Sequence, residues 1–290
     1  MTHDAATPVE PAGPFVDLQV HSTASDGALP PADVARCAAT AGLVAFALTD
    51  HDTLAGVEAA RAAAAPLGVR VVAGVELSAH FHGRELHVLG LHVRDMTGLE
   101  AALVAFREAR VSRAERIVRA LGALGVTVTM DEVRAQASGS SLGRPHVAKA
   151  LVARGYVSDL REAFDRWLGN GRPAYVEKRR LELDDALAML HDAGALAVWA
   201  HPGRLGTPDL VRQVAKAGMD GIEVAHPSHS ADDRVRFAEL AERHGLLRSG
   251  GSDWHGQFEG PRQLGNQHVP KTWLDEQDAA VAARAAAVAG

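Results

Sequence analysis

The run Val44-Ala45-Phe46-Ala47-Leu48-Thr49-Asp50-His51-Asp52 decides the architecture. Five apolar residues in a row fit a strand buried on both faces. Two carboxylates and an imidazole follow at once, and then an Ala-rich stretch over 54–67 reads as helix. This unit of strand, polar strand end and helix recurs along the chain. Upstream, a strand is expected over 15–21, with Gln19 and His21 at its end and a helix opening near Pro31, a residue suited to the first helical turn. Downstream, strands are expected over 70–77 and 85–93. After Trp167 come a helix over 184–193, a strand over 196–200 running into His201-Pro202, and a helix from Thr207-Pro208 to 217. A strand over 221–225 then reaches His226, a helix covers 231–244, and a last strand over 246–249 leads to Gly250-Gly251 and Ser252-Asp253-Trp254-His255. Such alternation predicts an α/β fold with parallel strands, and about seven repeats predict a barrel rather than an open sheet.

The alternation stops between residues 97 and 167, where the pattern is helical. Thr97 and Glu100 have capping-box spacing for a long helix through Leu103, Phe106, Ile117, Val118 and Leu121 to Gly125. The expected organisation is a disordered tail over 1–14, a discontinuous barrel over 15–99 and 171–270, a helical insertion or lid over 100–170, and a C-terminal surface helix over 271–290.

Composition narrows the function. With 47% apolar and 23% charged residues among 290, the chain is globular. A net charge of −6 argues against binding long nucleic acid, yet leaves room for a local basic pocket. The single cysteine, Cys37, excludes a disulfide framework and a thiolate zinc site. No apolar run approaches the length of a membrane span, and residues 1–14 lack the basic start and apolar stretch of a secretory signal, so a cytoplasmic location is expected. No phosphate-binding loop of the Gly-x-x-x-x-Gly-Lys type and no nucleophile beside a base stands out.

Fifteen histidines are the oddity. A lone histidine is ordinarily packed or solvated, as we read His80, His82, His92, His191 and His244. Asp26-Gly27 alone is ordinarily a turn, and Asp50 or Asp52 alone a helix cap. What carries weight is recurrence: His21, Asp26, His51, Glu76, His87, His201, His226, Asp253 and His255 all stand at or just beyond strand ends. In a β/α barrel those ends share the face that hosts the active site. Imidazole and carboxylate donors without thiols suit Mn, Fe or Zn, and a shared carboxylate suits more than one ion.

The strings Val16-Asp17-Leu18-Gln19-Val20-His21-Ser22, Ser25-Asp26-Gly27, Thr49-Asp50-His51-Asp52, Gly74-Val75-Glu76, His201-Pro202 and Ser252-Asp253-Trp254-His255 resemble the polymerase-and-histidinol-phosphatase (PHP) phosphoesterase family. Within the helical segment, the stretches from Leu142-Gly143-Arg144-Pro145-His146 and from Trp167-Leu168-Gly169-Asn170 resemble its bacterial branch of 3′,5′-nucleoside bisphosphate phosphatases, relatives of a 5′-to-3′ exonuclease on short RNA. The resemblance implies a distorted (β/α)7 TIM-like barrel and two or three divalent ions, Mn2+ first and Fe2+, Zn2+ or Mg2+ as alternatives. It implies Asp26, His51 and His255 on one ion, Glu76, His87 and His201 on a second with Glu76 bridging, and His21, Glu76, Asp253 and residue 19 on a third. The family usually carries His-x-His where this chain has Gln19-x-His21, and a neutral amide is a poorer donor, so a third ion is bound weakly or the site works with two.

The expected reaction is hydrolysis of a nucleotide phosphomonoester by a metal-bound hydroxide, with the 3′-phosphate of a 3′,5′-nucleoside bisphosphate as the favoured substrate. Arg144, Lys178 and Arg204 are the candidate phosphate contacts, a guanidinium matching two oxygens at once, and His146 is placed at the same mouth. His226 and His229 are candidate acids or substrate contacts. Two alternatives stand beside this reading: 5′-to-3′ cleavage of short oligoribonucleotides, and a metal-poor barrel that binds nucleotides without catalysis. The oligomeric state is not legible.

Overall fold

A computed structural model describes residues 13–137, 142–177 and 181–289. Lys178 and most of the expected N-terminal tail lie outside the described residues. Among the described residues, the strands are β1 (Phe15–Val20), β2 (Ala45–Leu48), β3 (Arg70–Phe81), β4 (Arg84–Leu91), β5 (Leu196–Ala200), β6 (Gly221–Ala225), β7 (Leu247–Gly250) and a short β8 (Val269–Pro270). They form one sheet in the order β7-β6-β5-β4-β3-β2-β1-β8. Its two sides meet again just past β7, where Val20 pairs with Trp254 and the His21 amide donates to the Trp254 carbonyl at 2.9 Å. The result is a distorted, nearly closed β/α barrel. Closure depends on Gly251, because a Cβ there would sit 2.5 Å from the Gln19 nitrogen.

The expected parallel pairing holds for β1–β2, β2–β3, β5–β6 and β6–β7, but not around β4 and β8. β3 and β4 form an antiparallel hairpin, β4 also runs antiparallel to β5, and β8 runs antiparallel to β1. The hairpin turns at His82 (φ 49°) and Gly83 (φ 76°), two consecutive left-handed residues of the kind a tight hairpin needs.

Side-chain alternation explains the core. Ala45, Ala47, Val72, Leu89 and Val198 pack together inside the barrel, while Phe46, Leu48, Val71, Ala73, Val88 and Trp199 pack outward against helices. The outer helices are α1 (Pro31–Thr40) and α2 (Val57–Ala64) in the first half, and α7 (Leu183–Asp192), α8 (Pro208–Ala217) and α9 (Ala231–His244) in the second. Between them lie α3 (Met96–Ala123), α4 (Met130–Ala135), α5 (Arg144–Ala153) and α6 (Leu160–Ala163). These carry an apolar core of their own, with Ile117, Leu121, Val133, Val147, Leu151 and Leu168 buried together.

The cap of α3 differs from expectation. Asp95, not Thr97, caps the helix by accepting the Gly98 amide at 2.9 Å. Glu100 is used elsewhere: it accepts the Leu54 amide at 2.7 Å and pairs with Arg107 at 2.7 Å. The last helix, α10 (Lys271–Ala289), is more than a surface element. Its Leu274 and Gln277 are buried, and Leu274 joins Val16 and Leu18 in the barrel interior. No described helix is long and apolar enough to cross a membrane.

Candidate metal centre

The clustered side chains meet at one rim, formed by the C-terminal ends of the parallel strands, Glu76 within β3 and His87 in the first half of antiparallel β4, and local backbone features aim them. The β1–β2 register shifts between Asp17 and Val20. Val16 and Leu18 pack inside the barrel, Val20 packs outside, and both Gln19 and His21 reach Glu76 in the interior. A strictly alternating strand would set Gln19 and His21 on the face opposite Leu18, so the irregularity re-aims them. Past β2, His51 pairs with Glu76 as an extension of the β2–β3 ladder. Asp52 (φ 54°), His201 (φ 34°) and Asp253 (φ 51°) are left-handed without being glycine, backbone strain of the sort that collects at functional sites.

Asp50 acts as an organiser. Its carboxylate accepts the Ser22 amide and hydroxyl and the Ser25 hydroxyl, each at 2.7 Å, and so fixes the loop that carries His21 and Asp26. Arg107 of α3 donates to the Asp52 carbonyl at 2.7 Å, which ties the helical segment to the loop of His51. Glu223 accepts the His201 amide at 2.6 Å and shapes the bend that presents that ring.

Glu76 lies at the centre. One oxygen is 2.6 Å from His87 Nδ1 and 3.3 Å from His201 Nε2. The other is 3.1 Å from His21 Nε2, 3.9 Å from His51 Nδ1, and accepts from Gln19 Nε2 at 3.0 Å. Asp26 stands 3.3 Å from His255 Nε2 and 3.7 Å from His51 Nε2, and Asp253 stands 3.3 Å from His21 Nε2. Three groups have ligand atoms close enough to surround an ion: His21, Asp26, His51 and His255; Glu76, His87 and His201; and His21, Glu76 and Asp253. All eight ionisable side chains expected at the metals are thereby brought together, and Gln19 lies among them.

The donor set fits divalent cations. Both ring nitrogens of His21 are buried without a hydrogen bond, an arrangement costly unless an ion uses a lone pair of that ring. Burial pushes Glu76 upward, but the imidazoles of His51, His87, His201 and His21 outweigh it and hold Glu76 well below the usual range. Burial lowers His87, but Glu76 and Glu85 raise it to about 10. Burial, the charges of Asp253, Glu76 and Asp17 together push Glu223 well above the ordinary glutamate range, against the His201 amide.

Of the remaining candidates, Arg144 and His146 line one cleft with Asp26, His51 and His87. Arg144 donates to the Leu168 carbonyl at 3.3 Å, with Phe164 and Tyr175 rings each 5.7 Å away. Arg204 is exposed on the turn Gly203–Leu205 and is absent from the cleft lining. His226 is buried, with Nδ1 on the Ser228 hydroxyl at 2.8 Å and Nε2 3.7 Å from Asp253. His229 uses both nitrogens structurally, Nδ1 donating to the Val224 carbonyl at 3.0 Å and Nε2 accepting the Gly203 amide at 3.2 Å. Burial pushes it down to about 4, consistent with a neutral ring.

Two basic residues escaped the sequence reading. Arg113, buried in α3, lines the cleft and donates to the Val176 carbonyl at 2.8 Å. Arg262 pairs with the Asp253 carboxylate and donates to its carbonyl at 3.2 Å. Neither has a local signature: one looks like an ordinary helix charge, the other like a loop residue.

The PHP domain family matches residues 17–169. The chain is 40% identical to a 3′,5′-nucleoside bisphosphate phosphatase of Chromobacterium violaceum, covering 87% of this chain and 90% of that one. It is 38% identical to a 5′-3′ exoribonuclease of Haemophilus influenzae, covering 82% and 89%. A crystal structure from Bifidobacterium adolescentis, described as a metal-dependent phosphoesterase, superposes with a TM-score of 0.80 at 30% identity over 92% of this chain and 96% of that one. The convergent histidines and carboxylates, the barrel and these likenesses agree: the chain belongs to the PHP family and is a metal-dependent hydrolase of phosphoester bonds.

Proposed function

We propose that the enzyme removes the 3′-phosphate of a 3′,5′-nucleoside bisphosphate. The observation that carries this reading is one cleft lined both by Asp26, His51 and His87 of the rim and by Arg113, Arg144 and His146 of the helical segment. A cluster for cations sharing a cleft with two guanidiniums suits a small molecule with two separated phosphates. The 40% identity to the Chromobacterium violaceum phosphatase supports the same substrate class.

Asp26, His51, His255 and His21 would hold one ion, and Glu76, His87 and His201 another, with two or three divalent ions in all and Mn2+ first among them. Bound ions supply Lewis acidity toward a phosphoryl oxygen and lower the pKa of water toward neutrality. The protein's part is positioning. Arg113 and Arg144 grip the phosphate that is not cleaved, since planar guanidiniums match two oxygens at once. The aromatic flanks of Arg144 hold its side chain in one place. Lys178 and Arg204, the latter three residues past His201, are further phosphate contacts in this reading. His226 remains the candidate acid in this reading, its Nδ1 engaged by Ser228 and its Nε2 3.7 Å from Asp253. The helical segment over 100–170 serves as the lid that selects the substrate.

A net charge of −6 disfavours long polyanions, so partners are small nucleotides or short oligoribonucleotides, and we place the enzyme in the cytoplasm. A second reading, 5′-to-3′ trimming of short RNA, is favoured by the Haemophilus influenzae relative. A binding barrel without catalysis accords poorly with a donor set this complete. The test compares phosphate release from 3′,5′-bisphosphoadenosine with mononucleotide release from short 5′-phosphorylated RNA, using Mn2+-loaded protein. A kcat/KM at least about tenfold higher for the bisphosphate supports the proposal, and the reverse order supports the nuclease.

A further inference from the structure

The three ligand groups are not equal. The first two share no residue: His21, Asp26, His51 and His255 form one, and Glu76, His87 and His201 the other. The third borrows His21 from the first and Glu76 from the second, so only Asp253 is its own.

Both carboxylates of that third group are already served by the protein. Gln19 Nε2 donates at 3.0 Å to Glu76 Oε2, the same oxygen that stands 3.1 Å from His21 Nε2. The direction of this amide follows from its partner. A carboxylate only accepts, so turning the amide over would press two oxygens together at that distance. Gln19 has little freedom to move aside, because it is fully buried and Gly251 packs directly on its backbone. Asp253 Oδ2 is paired with the Arg262 guanidinium, which also anchors the backbone carbonyl of the same residue at 3.2 Å.

We propose that this chain's centre runs on two tightly held ions, with Gln19 and Arg262 standing in for a third. The amide occupies a lone pair of Glu76 that a third ion would need, and the guanidinium supplies the positive charge beside Asp253. The inference rests on reading the rim as a metal centre and narrows that reading from two or three ions to two.

Metal content tests it without reference to activity. Full-length protein is loaded with Mn2+, freed of loose metal by gel filtration, and measured by elemental analysis against protein concentration. Two ions per chain are expected. In Gln19→His an imidazole replaces the amide donor, and the content should rise to three. Arg262→Ala is a second, independent variant at a partly exposed position, with 41% of the side chain accessible. Calorimetric titration of that variant should show a third Mn2+ binding at least about tenfold more tightly than in the unaltered protein, a size typical of outer-shell changes. Three ions held by the unaltered protein would overturn the inference while leaving the metal centre intact. So would finding that neither variant gains an ion or affinity for one. No ion held by the unaltered protein would overturn the metal centre itself, and this inference with it.

Discussion

At the rim where the parallel strands end and antiparallel β4 begins, His21, His87 and His201 press their imidazoles to within 3.3 Å of a single carboxylate, Glu76, and His21 leaves both ring nitrogens without a hydrogen bond. At the opposite ends of the same strands, α10 lies across the barrel and its polar groups are paired. Arg70 grips Asp278 through two bonds of 2.6 Å, Arg248 meets Glu276 at 2.7 Å, Gln277 donates to the Arg248 carbonyl at 2.9 Å, and Arg284 pairs with Asp220. One end keeps buried donors unsatisfied, the other satisfies them. Crowded, orphaned groups cost stability and persist where a ligand compensates, whereas closed pairs around a buried leucine hold the barrel shut. The difference assigns chemistry to one end and stability to the other.

Substitutions at each end should therefore fail in different ways. The largest effect is expected for Glu76→Gln, which removes the carboxylate shared by two ligand groups. kcat/KM for phosphate release should fall by at least about 10³-fold, roughly 4 kcal/mol, with loss of bound Mn2+. Activity within tenfold of the unaltered enzyme would break the comparison at the rim. At the other end, Leu274→Ala should cost about 2–4 kcal/mol in urea unfolding because Leu274 fills the barrel floor, with kcat unchanged at 25 °C. A drop in kcat without loss of stability would show that the two ends are not separable.

Arg107→Ala probes the link between α3 and the rim. Loss of the bond to the Asp52 carbonyl should weaken Mn2+ binding by about tenfold, read by calorimetric titration. The smallest effect is a pH dependence at the floor. Burial raises the Asp220 pKa, but His191, Arg284 and the Ala197 amide outweigh it and leave Asp220 below its ordinary 3.8. A depressed carboxylate contributes stability that is fully present above the unfolded value and is lost as pH falls through the folded one. The stability gap between the unaltered protein and Asp220→Asn, measured by urea unfolding, should be widest near pH 7 and narrow below about pH 4. A gap that grows in acid would contradict the pairing.

Much of the rim was legible because the strands announce themselves as apolar runs and the ligands fall where those runs stop, as at Leu48 before His51 and Ala200 before His201. The antiparallel hairpin was less legible: Gly83 suits a tight turn, but His82 is not the Asn or Asp that usually marks the first left-handed position. The inward turn of Gln19 followed from the family resemblance and not from strand alternation, because an irregularity between Asp17 and Val20 breaks the two-residue period on which strand reading depends. Arg113 and Arg262 were hidden for another reason. Their roles arise from packing across the fold, against Val176 and Asp253, and nothing in their local sequence separates them from solvated charges. Likewise α10 looked like a surface helix because its Ala-rich sequence has no wide apolar stripe; only Leu274 and its neighbours enter the barrel.

The most direct test is anomalous diffraction from crystals of Mn2+-loaded protein, collected at the manganese absorption edge. Peaks are predicted among Asp26, His51 and His255 and among Glu76, His87 and His201, with Glu76 within coordinating distance of the latter. Manganese found only elsewhere, or none at the rim while those side chains keep their present positions, would contradict the assignment of this end of the barrel as the metal centre.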